Sequence, residues 1–371
     1  MLTSAATIKP VIQTRTEEIL TREIGAPEHW KRLNVKVVSA AIGKHVSGGV
    51  LFGEALADNP AFLRAMYSYV SKISAGSLAV RYFNVGSFRN IFMYLLHWTY
   101  RHDLATATRY ITELMAERRR QNLPEDEKPV DCIQWAMDQN LPNDQKKPED
   151  IAHRILHVSA AGVETPITST MNLLFDIASH SECIDELRAE IIVCLAEEGG
   201  RWTQNAMAKM LKLESFIQES FRMNPVPLEL TGWRVVIADS FRFDESLVFP
   251  KGTLLTFPSK FFQNDPDVHP DADKFDHLRF YKYRKQETGL NGAPASSSRD
   301  LRTEWLGFGY GRQACPGRIY SIAMLKTIIG EIILRYDVRY AGGPRPRPSS
   351  IDVNPAVWPD PSIDLEFRTR G

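Results

Sequence analysis

Ten residues near the carboxyl end of the chain read Phe308-Gly309-Tyr310-Gly311-Arg312-Gln313-Ala314-Cys315-Pro316-Gly317. Glycines at two of the inner positions permit backbone turns that a Cβ would forbid, and Pro316 suits the first turn of a helix, where a missing N–H costs nothing. Apolar residues then recur at helical spacing: Ile319, Ile322, Leu325, Ile329 and Ile332. The pattern predicts a helix that starts near Arg318 and presents the Cys315 thiol at its amino end. The partial positive charge at that end is expected to lower the thiol pKa.

This decapeptide resembles the haem-ligand loop of the haem-thiolate monooxygenases, the cytochrome P450 superfamily. The resemblance implies that Cys315 is the axial thiolate ligand of haem iron. It also implies that six neighbours bind the cofactor: Phe308, Gly309, Gly311, Arg312, Gln313 and Gly317. Gln313 departs from the family pattern, which often has Arg or His there for a haem propionate, because Gln donates a hydrogen bond without a charge. The alternative is a buried, inert cysteine ahead of a core helix.

A second motif pairs one carboxylate with two arginines. Glu219 and Arg222 are three residues apart, so they share one face of a predicted helix and can pair, and Arg279 follows in an aromatic setting. Their order resembles the buried Glu-Arg-Arg cluster of the superfamily, which implies that these three residues lock the scaffold on the haem side. The alternative is three independent surface charges, which contribute little to stability.

A third motif lies inside a predicted long helix, from Ala161 to Pro166. Small residues such as Gly162 leave room for a haem, and the adjacent acid and alcohol of Glu164 and Thr165 can relay protons. The segment resembles the oxygen-activation segment of the superfamily, which implies a catalytic role for both residues. Pro166 has no N–H, so the carbonyl of Gly162 loses its helical partner and a kink is expected. An ordinary proline-kinked core helix is the alternative.

Candidate substrate contacts follow more loosely from the same resemblance. After the Glu219 helix come Pro227, Leu228, Glu229 and Leu230, where the family lines its pocket, and Val357 and Trp358 lie in a late turn that does the same. Ordinary packing is an equally good explanation for each. The aromatic segment from Tyr82 to Tyr100 is suited to contact a membrane interface, or to form a buried helix pair.

The composition limits the classes of protein to which this chain can belong. The 371 residues are 43% apolar and carry no formal net charge, which argues against nucleic acid as the main partner. The spacing of the four cysteines, Cys132, Cys183, Cys194 and Cys315, matches neither a zinc site nor a disulfide framework, so a reducing compartment fits best. No run of 18 uncharged apolar residues predicts a transmembrane helix, and residues 1–15 lack the apolar core of a signal peptide.

The chain is predicted to be mainly α with a small β region, as one cytochrome P450 domain over residues 1–371. A helical part covers about 1–225, and a part with the strands and the haem-ligand loop covers about 226–371. Specific helices are predicted at Trp30–Val50, Leu104–Arg120, about Asp150–His180 and about Asn205–Met223, with Ser181 as the N-cap of another. Strands are predicted at Trp233–Ile237, Phe241–Phe249 and Thr253–Phe257, the last two as a hairpin through Pro250–Gly252. Loops are predicted at 140–148, 284–304 and 341–350.

The resemblance runs almost from residue 1 to the end, yet full-length members of the superfamily are longer. We therefore expect an N-terminally truncated P450 fold without the membrane anchor and the first conserved helices. Those parts normally supply a Trp-x-x-x-Arg contact to a haem propionate, and no Trp here is followed by Arg four residues later.

The resemblance implies a haem-dependent monooxygenase of fungal microsomal type. Such an enzyme inserts one atom of dioxygen into a hydrophobic natural product, such as a terpenoid or another secondary metabolite, with electrons from an NADPH-dependent flavoprotein reductase. It implies the endoplasmic reticulum membrane as the location, whereas the lack of a predicted spanning segment favours the cytosol. A non-catalytic haem-binding or structural remnant is the alternative. Peroxide-driven or rearrangement chemistry is a third possibility, against which the Glu164–Thr165 pair argues.

Overall fold

Helices dominate the part of the chain that the computed structural model describes, which is residues 5–82, 88–140, 142, 145–225, 234–291, 304–353 and 356–370. The helices there are α1 Ala5–Glu23, α2 Val35–Ala57, α3 Pro60–Tyr82, α4 Arg89–Gln121, α5 Cys132–Asp138, α6 Pro148–Ser179, α7 Ile184–Ala196, α8 Gln204–Lys209, α9 Leu211–Met223, α10 Ser259–Gln263, α11 Arg279–Asn291 and α12 Arg318–Arg335. The strands are β1 Lys31–Asn34, β2 Arg234–Val235, β3 Ser240–Arg242, β4 Val248–Pro250, β5 Leu254–Leu255, β6 Tyr336–Tyr340, β7 Ile351–Val353, β8 Ala356–Trp358 and β9 Asp364–Thr369. The predicted fold class, mainly α with a small β region, is confirmed.

Contacts between residues divide the chain into two compact units. The first comprises Met1–Gly25 and Ser39–Ile167, and the second comprises Ala26–Val38 and Thr168–Gly371. The boundary between these units falls inside α6. The single domain over 1–371, with a helical part to about residue 225, stays a prediction.

The first unit is built on the long pair α3 and α4. Tyr69 on α3 meets Tyr100 on α4 edge to face at 5.5 Å, and Lys72 pairs with Asp103 across the same pair of helices at 2.6 Å. Edge-to-face rings and apolar side chains between the helices bury surface that water would otherwise cover.

The second unit combines a helical core with a three-stranded antiparallel sheet in the order β1-β9-β6. Alternate residues of β6 point inward, so Tyr336, Val338 and Tyr340 are buried while their neighbours are half-exposed. On β9, Leu365 and Phe367 are buried in the same way. This alternation is the signature of a sheet with one face on a core.

Three predicted helices follow the structure closely. The helix expected at about Asp150–His180 is α6, and the one expected at Leu104–Arg120 is the second half of α4. The helix after Cys315 begins at Arg318 as predicted. Of its predicted apolar stripe, all but the half-buried Ile319 are fully buried.

The predicted helix Trp30–Val50 is wrong at its start, because Lys31–Asn34 forms strand β1. Leu33 pairs with Leu365 of β9, so the sheet takes residues that a helix could have used. The helix α2 begins one residue later, where the Asn34 side chain accepts hydrogen bonds from the backbone N–H groups of Lys36 and Val37. Asn at an N-cap is a strong start signal.

The predicted hairpin between Phe241–Phe249 and Thr253–Phe257 is also wrong. The turn lies inside the first of these segments, because Asp244 accepts hydrogen bonds from the N–H groups of Ser246 and Leu247 and so reverses the chain between β3 and β4. Strand β5 then pairs with β2 instead. An aspartate that binds the backbone two residues on is a turn signal that outweighs the strand propensity of its neighbours.

Three further boundaries differ from the predictions. Residues 205–223 form two helices, α8 and α9, because Met210 leaves helical geometry at φ −76° and ψ 73°. Ser181 is not an N-cap but opens a single 3-10 turn, and α7 begins at Ile184. The predicted loop 284–304 begins later, because α11 continues to Asn291, and residues 292–303 lie outside the described part.

One helix of the described chain, Val35–Ala57, is long and apolar enough to cross a membrane by length and composition. Its most apolar window is 72% buried inside the protein, as the core helix of a folded domain would be.

Candidate functional site

The loop before α12 is closed by its own backbone. Gly309 and Gly311 have φ values of 71° and 66°, which residues with a Cβ rarely adopt. The N–H of Cys315 donates to the carbonyl of Phe308 at 2.8 Å, and the N–H of Ala314 donates to that of Gly311 at 3.2 Å. These bonds hold Cys315 at a fixed point directly before the helix.

The Cys315 thiol is half-buried at the amino end of α12. Burial raises its pKa, while the N–H of Gly317 and the positive charge of Arg318 act in the opposite direction and are outweighed. The expected lowering of the thiol pKa is therefore wrong for the protein without a bound cation. A bound metal ion deprotonates a coordinating thiol outright, so a metal can still make this group a thiolate.

A cluster of aromatic side chains packs against the loop at Phe308. Phe308 meets Trp305 and Phe221 edge to face, with ring centroids at 5.7 and 5.8 Å. The indole N–H of Trp305 donates to the carbonyl of Gln218 on α9 at 3.0 Å. The loop is thus tied to α9, the helix that carries the Glu–Arg motif.

The other predicted loop residues have a more open setting. Gly311 and Arg312 are exposed, and a Cβ at Gly311 would meet nothing within 4 Å. At Gly317 a Cβ would lie 3.7 Å from the Cys315 sulfur. Gln313 ends a single 3-10 turn, and its side chain lies outside the described part of the chain.

The structure brings Glu219, Arg222 and Arg279 together in the core of the second unit. Glu219 and Arg222 are 0% exposed, and their side chains form a two-pronged pair with N–O distances of 2.8 and 2.9 Å. Arg279 adds its Nε at 3.1 Å from both carboxylate oxygens.

The remaining polar atoms of this cluster are bound by the backbone. Arg222 donates to the carbonyls of Gln263 and Ala272 at 2.9 Å, and Arg279 donates to those of Asp271 and Lys274 at 3.0 and 3.1 Å. Glu219 also accepts the N–H of Asp276 at 2.9 Å. Buried charges are tolerated when they are paired and hydrogen-bonded to this degree, so the cluster fixes the path of residues 263–279 against α9.

The acid–alcohol motif lies in the first unit, on α6. The hydroxyl of Thr165 donates to the carbonyl of Ala161 at 2.7 Å, and α6 continues as one helix past Pro166. Glu164 and Gly162 are half-buried, and a Cβ at Gly162 would come within 3.3 Å of Leu51. Close packing therefore accounts for a small residue at position 162 without reference to a ligand.

Sequence reasoning missed a tyrosine near this motif. The Tyr67 hydroxyl on α3 is buried and has no hydrogen-bond partner among the described residues. Burial and the negative charge of Glu164 both raise the pKa of Tyr67, and the Lys44 ammonium lies 4.3 Å from the centre of its ring. The sequence gives no signal for this buried hydroxyl, because an aromatic residue in an amphipathic helix does not reveal whether its hydroxyl finds a hydrogen-bond partner.

The substrate-contact candidates are only partly described. Leu228 and Leu230, with Pro227 and Glu229, lie outside the described residues. Val357 and Trp358 are half-buried on β8, which pairs with β7 in a two-stranded ladder.

The family model for cytochrome P450 matches residues 6–367. The chain belongs to the cytochrome P450 family. The resemblance predicted from the Cys315 loop is confirmed.

Curated relatives of this P450 come from fungi. Aspergilol synthase of Aspergillus ustus is 54% identical over 98% of the chain and 67% of its own length. Two cytochrome P450 monooxygenases, sttB of Aspergillus terreus and sirB of Leptosphaeria maculans, are 41% and 30% identical, over 98% of the chain and 69% and 70% of their own lengths. The chain thus spans about two thirds of the length of these relatives, and the predicted enzyme class, a cytochrome P450 monooxygenase, is confirmed.

A solved structure has the same fold. A cyanobacterial cytochrome P450 solved with retinoic acid bound matches with a TM-score of 0.71 at 19% identity, over 98% of this chain and 75% of its own. At that identity the similarity supports the P450 fold and nothing more specific.

The cofactor of this P450 family is haem with a thiolate-ligated iron, and the second unit offers a donor set that fits it. No group of three or more His, Cys, Asp or Glu side chains able to hold a metal lies in the described residues. Such clusters bind bare ions, whereas haem iron needs one axial protein ligand. Cys315 is a single half-buried thiol with a backbone N–H beside its sulfur, which is what an axial thiolate requires.

Proposed function

We propose that this P450 inserts one atom of dioxygen into a hydrophobic secondary metabolite, of which a terpenoid is the first class to test. Electrons come from an NADPH-dependent flavoprotein reductase. The observation that carries the proposal is the Cys315 thiol, held at the start of α12 by the closed glycine loop. When bound there, haem supplies the activation of dioxygen.

In this proposal the Cys315 sulfur would ligate the haem iron, and its loop would line the cofactor. To the cofactor, Arg312 would offer a positive charge and Gln313 would offer a hydrogen-bond donor without a charge. The Gly317 N–H points to the sulfur and stabilises negative charge on it.

Glu164 and Thr165 are proposed to move protons on α6. The Thr165 hydroxyl donates to the Ala161 carbonyl, so the lone pairs of its oxygen can still accept a hydrogen bond from a donor such as water. Glu164 is the adjacent, half-buried carboxylate and is proposed as the second member of this proton relay. The buried Glu219, Arg222 and Arg279 are proposed to hold the scaffold of the ligand loop rather than to touch substrate.

Substrate contacts are proposed at Leu228, Leu230, Val357 and Trp358, which are apolar residues suited to a hydrophobic molecule. The name of the relative aspergilol synthase supports a fungal natural product as the substrate class. A terpenoid is the first choice by family analogy alone.

Peripheral contact with the endoplasmic reticulum membrane is proposed at the start of α4. Large apolar side chains are exposed there on successive turns: Phe88, Ile91, Met93, Tyr94, Leu95 and Trp98. Phe88 and Tyr94 are 71% and 69% exposed. Such a patch, at the start of a helix that continues with Arg101 and His102, suits the interface of a bilayer.

The test is turnover with labelled dioxygen. The purified chain, a fungal NADPH-dependent reductase and a panel of terpenoid hydrocarbons are incubated under isotopically labelled O2, and products are read by mass spectrometry. One labelled oxygen atom per product, with none from labelled water, supports the proposal. Haem-loaded protein that binds no member of the panel would show that the substrate class is wrong. Product formed only with added peroxide, without NADPH, would contradict the monooxygenase reaction.

A further inference from the structure

Lys326 is a charged residue inside the core of the second unit. It lies on α12, the helix that follows Cys315, and its side chain is 1% exposed. Its ammonium donates to Glu214 at 2.5 Å and to the carbonyl of Met207 at 2.7 Å. A buried ammonium is costly unless it is paired and hydrogen-bonded. Its two acceptors therefore restrict where this part of α12 can lie.

Glu214 is shared with a third helix. Its second carboxylate oxygen accepts a hydrogen bond from Arg284 on α11 at 3.2 Å, and both partners are buried. One carboxylate on α9 thus joins α11 and α12. We call Glu214, Arg284 and Lys326 the Lys326 triad.

The triad repeats the spacing of the Glu219 cluster. Glu214 precedes Glu219 by five residues on α9, and Arg284 follows Arg279 by five residues on α11. The antiparallel helices therefore carry two charged links in register, Glu219–Arg279 and Glu214–Arg284. Next to the first link, the Trp305 indole N–H, ahead of the loop, donates to the Gln218 carbonyl. The second link reaches α12 through Lys326.

Lys326 acts on the half of α12 that lies nearer Cys315. It is the ninth residue of the helix, about 12 Å along the axis from its first residue at about 1.5 Å per residue. The far half has its own anchor, because Glu331 accepts the indole N–H of Trp202 at 2.7 Å. Two anchors on one rigid helix fix both its rotation and its position along its axis.

The geometry points to Lys326 as a positioning residue for the haem ligand. The Lys326 triad sets the rotation and axial position of α12 against α9 and so places the Cys315 sulfur at its ligating point. This inference rests on the proposed function, in which Cys315 ligates the iron. A helix free to rotate by a fraction of a turn would move the thiol away from the point at which it could ligate the iron, without unfolding the core.

The first test replaces Lys326 with methionine, which has similar length and no charge. Lys326→Met is expected to lose most of the thiolate-type Soret band of the reduced, CO-bound protein and to gain a thiol-type band, with haem content close to that of the parent. Arg335→Met is the matched control, because it removes another ion pair of α12 with Glu331 that is only partly buried. The control is expected to keep the parent spectrum.

A triple variant separates positioning from the cost of an unpaired charge. Lys326→Met/Glu214→Leu/Arg284→Met removes all three charges of the triad together, and apolar replacement of a buried ion set is often neutral for stability. We expect its melting temperature to return toward that of the parent while its thiol-type band persists. This variant also decides the case if Lys326→Met alone does not fold.

Two results would overturn the inference. One is an unchanged thiolate-type spectrum in Lys326→Met. The other is a triple variant with both the parent melting temperature and the parent spectrum, which would show that the triad only balances its own charges. A parent chain with no thiolate-type spectrum is a different outcome, because it would contradict the assignment of Cys315 itself.

Discussion

Thr165 directs its only hydroxyl hydrogen into its own helix. The 2.7 Å bond to the Ala161 carbonyl fixes the rotation of the hydroxyl, so its lone pairs have a set direction. That carbonyl and the next one, at Gly162, lie just before Pro166, which cannot donate to Gly162. At the scale of single residues, the motif thus provides three hydrogen-bond acceptors with fixed directions: the hydroxyl oxygen of Thr165 and the carbonyl oxygens of Ala161 and Gly162.

Replacement of Thr165 tests whether this orientation serves proton delivery. Thr165→Ala in haem-loaded protein is expected to consume NADPH at a similar rate but to form less product and more hydrogen peroxide. Thr165→Ser keeps the hydroxyl and is the matched control, with product per NADPH close to that of the parent. Equal product per NADPH in the alanine variant would remove Thr165 from the mechanism.

Tyr67 allows a test of stability at the same scale. Its buried hydroxyl has no partner among the described residues, and an unsatisfied buried group costs about 1–3 kcal/mol. Tyr67→Phe is therefore expected to leave the free energy of unfolding of the substrate-free protein unchanged or to raise it by about 1 kcal/mol. Urea denaturation of parent and variant measures this. A loss of more than about 1 kcal/mol would show that the hydroxyl has a stabilising partner.

At the scale of elements, the contact between α9 and the segment from residue 263 to Arg279 depends on one carboxylate. Glu219 accepts from Arg222, from Arg279 and from the N–H of Asp276. Arg222 in turn binds three backbone carbonyls of that segment. The cluster is therefore a connection between two pieces of chain rather than a local pair on one helix.

Arg222→Ala tests this connection. Loss of one partner leaves Glu219 buried and less compensated, which is expected to lower stability by about 3–5 kcal/mol and to prevent haem loading. The matched control is Arg109→Ala, whose pair with Glu113 is exposed on α4 and contributes about 0.3–0.5 kcal/mol. Thermal melting and haem content per chain are the measurements. A haem-loaded Arg222→Ala protein with the melting temperature of the parent would contradict the role given to the cluster.

Local signals explain what the sequence predicted at this scale. The Cys315 loop and its helix are set by Gly309, Gly311 and Pro316 within ten residues, so the sequence predicts them well. Pairings that join distant residues were missed, such as β2 with β5 and Glu214 with Lys326, 112 residues apart. Periodicity reports which face of a helix is apolar, but it does not report which partner neutralises a buried charge.

The pKa of Cys315 shows the same limit. The helix start and Arg318 were visible in the sequence and do act to lower it, yet burial outweighs them. The packing of this loop involves side chains from other segments, such as Phe221 against Phe308, which local sequence signals do not reveal. The sequence therefore did not predict the electrostatic setting of the proposed ligand, and Cys315 as the ligand stays a prediction.

At the scale of the whole molecule, the chain is a cytochrome P450 whose described residues include the closed Cys315 loop and the buried Glu219 cluster. The family match covers residues 6–367, and the chain spans about two thirds of the length of the curated relatives. The central claim is that Cys315 ligates haem iron through a thiolate.

The reduced, CO-bound absorption spectrum of the purified chain tests that claim most directly, with Cys315→Ala and Cys194→Ala beside it. Cys194 is a buried cysteine on α7, far from any loop of this kind in the sequence. We expect a thiolate-type Soret band in the parent and in Cys194→Ala, and none in Cys315→Ala. A parent without that band, or a Cys315→Ala protein that keeps it, would contradict the account.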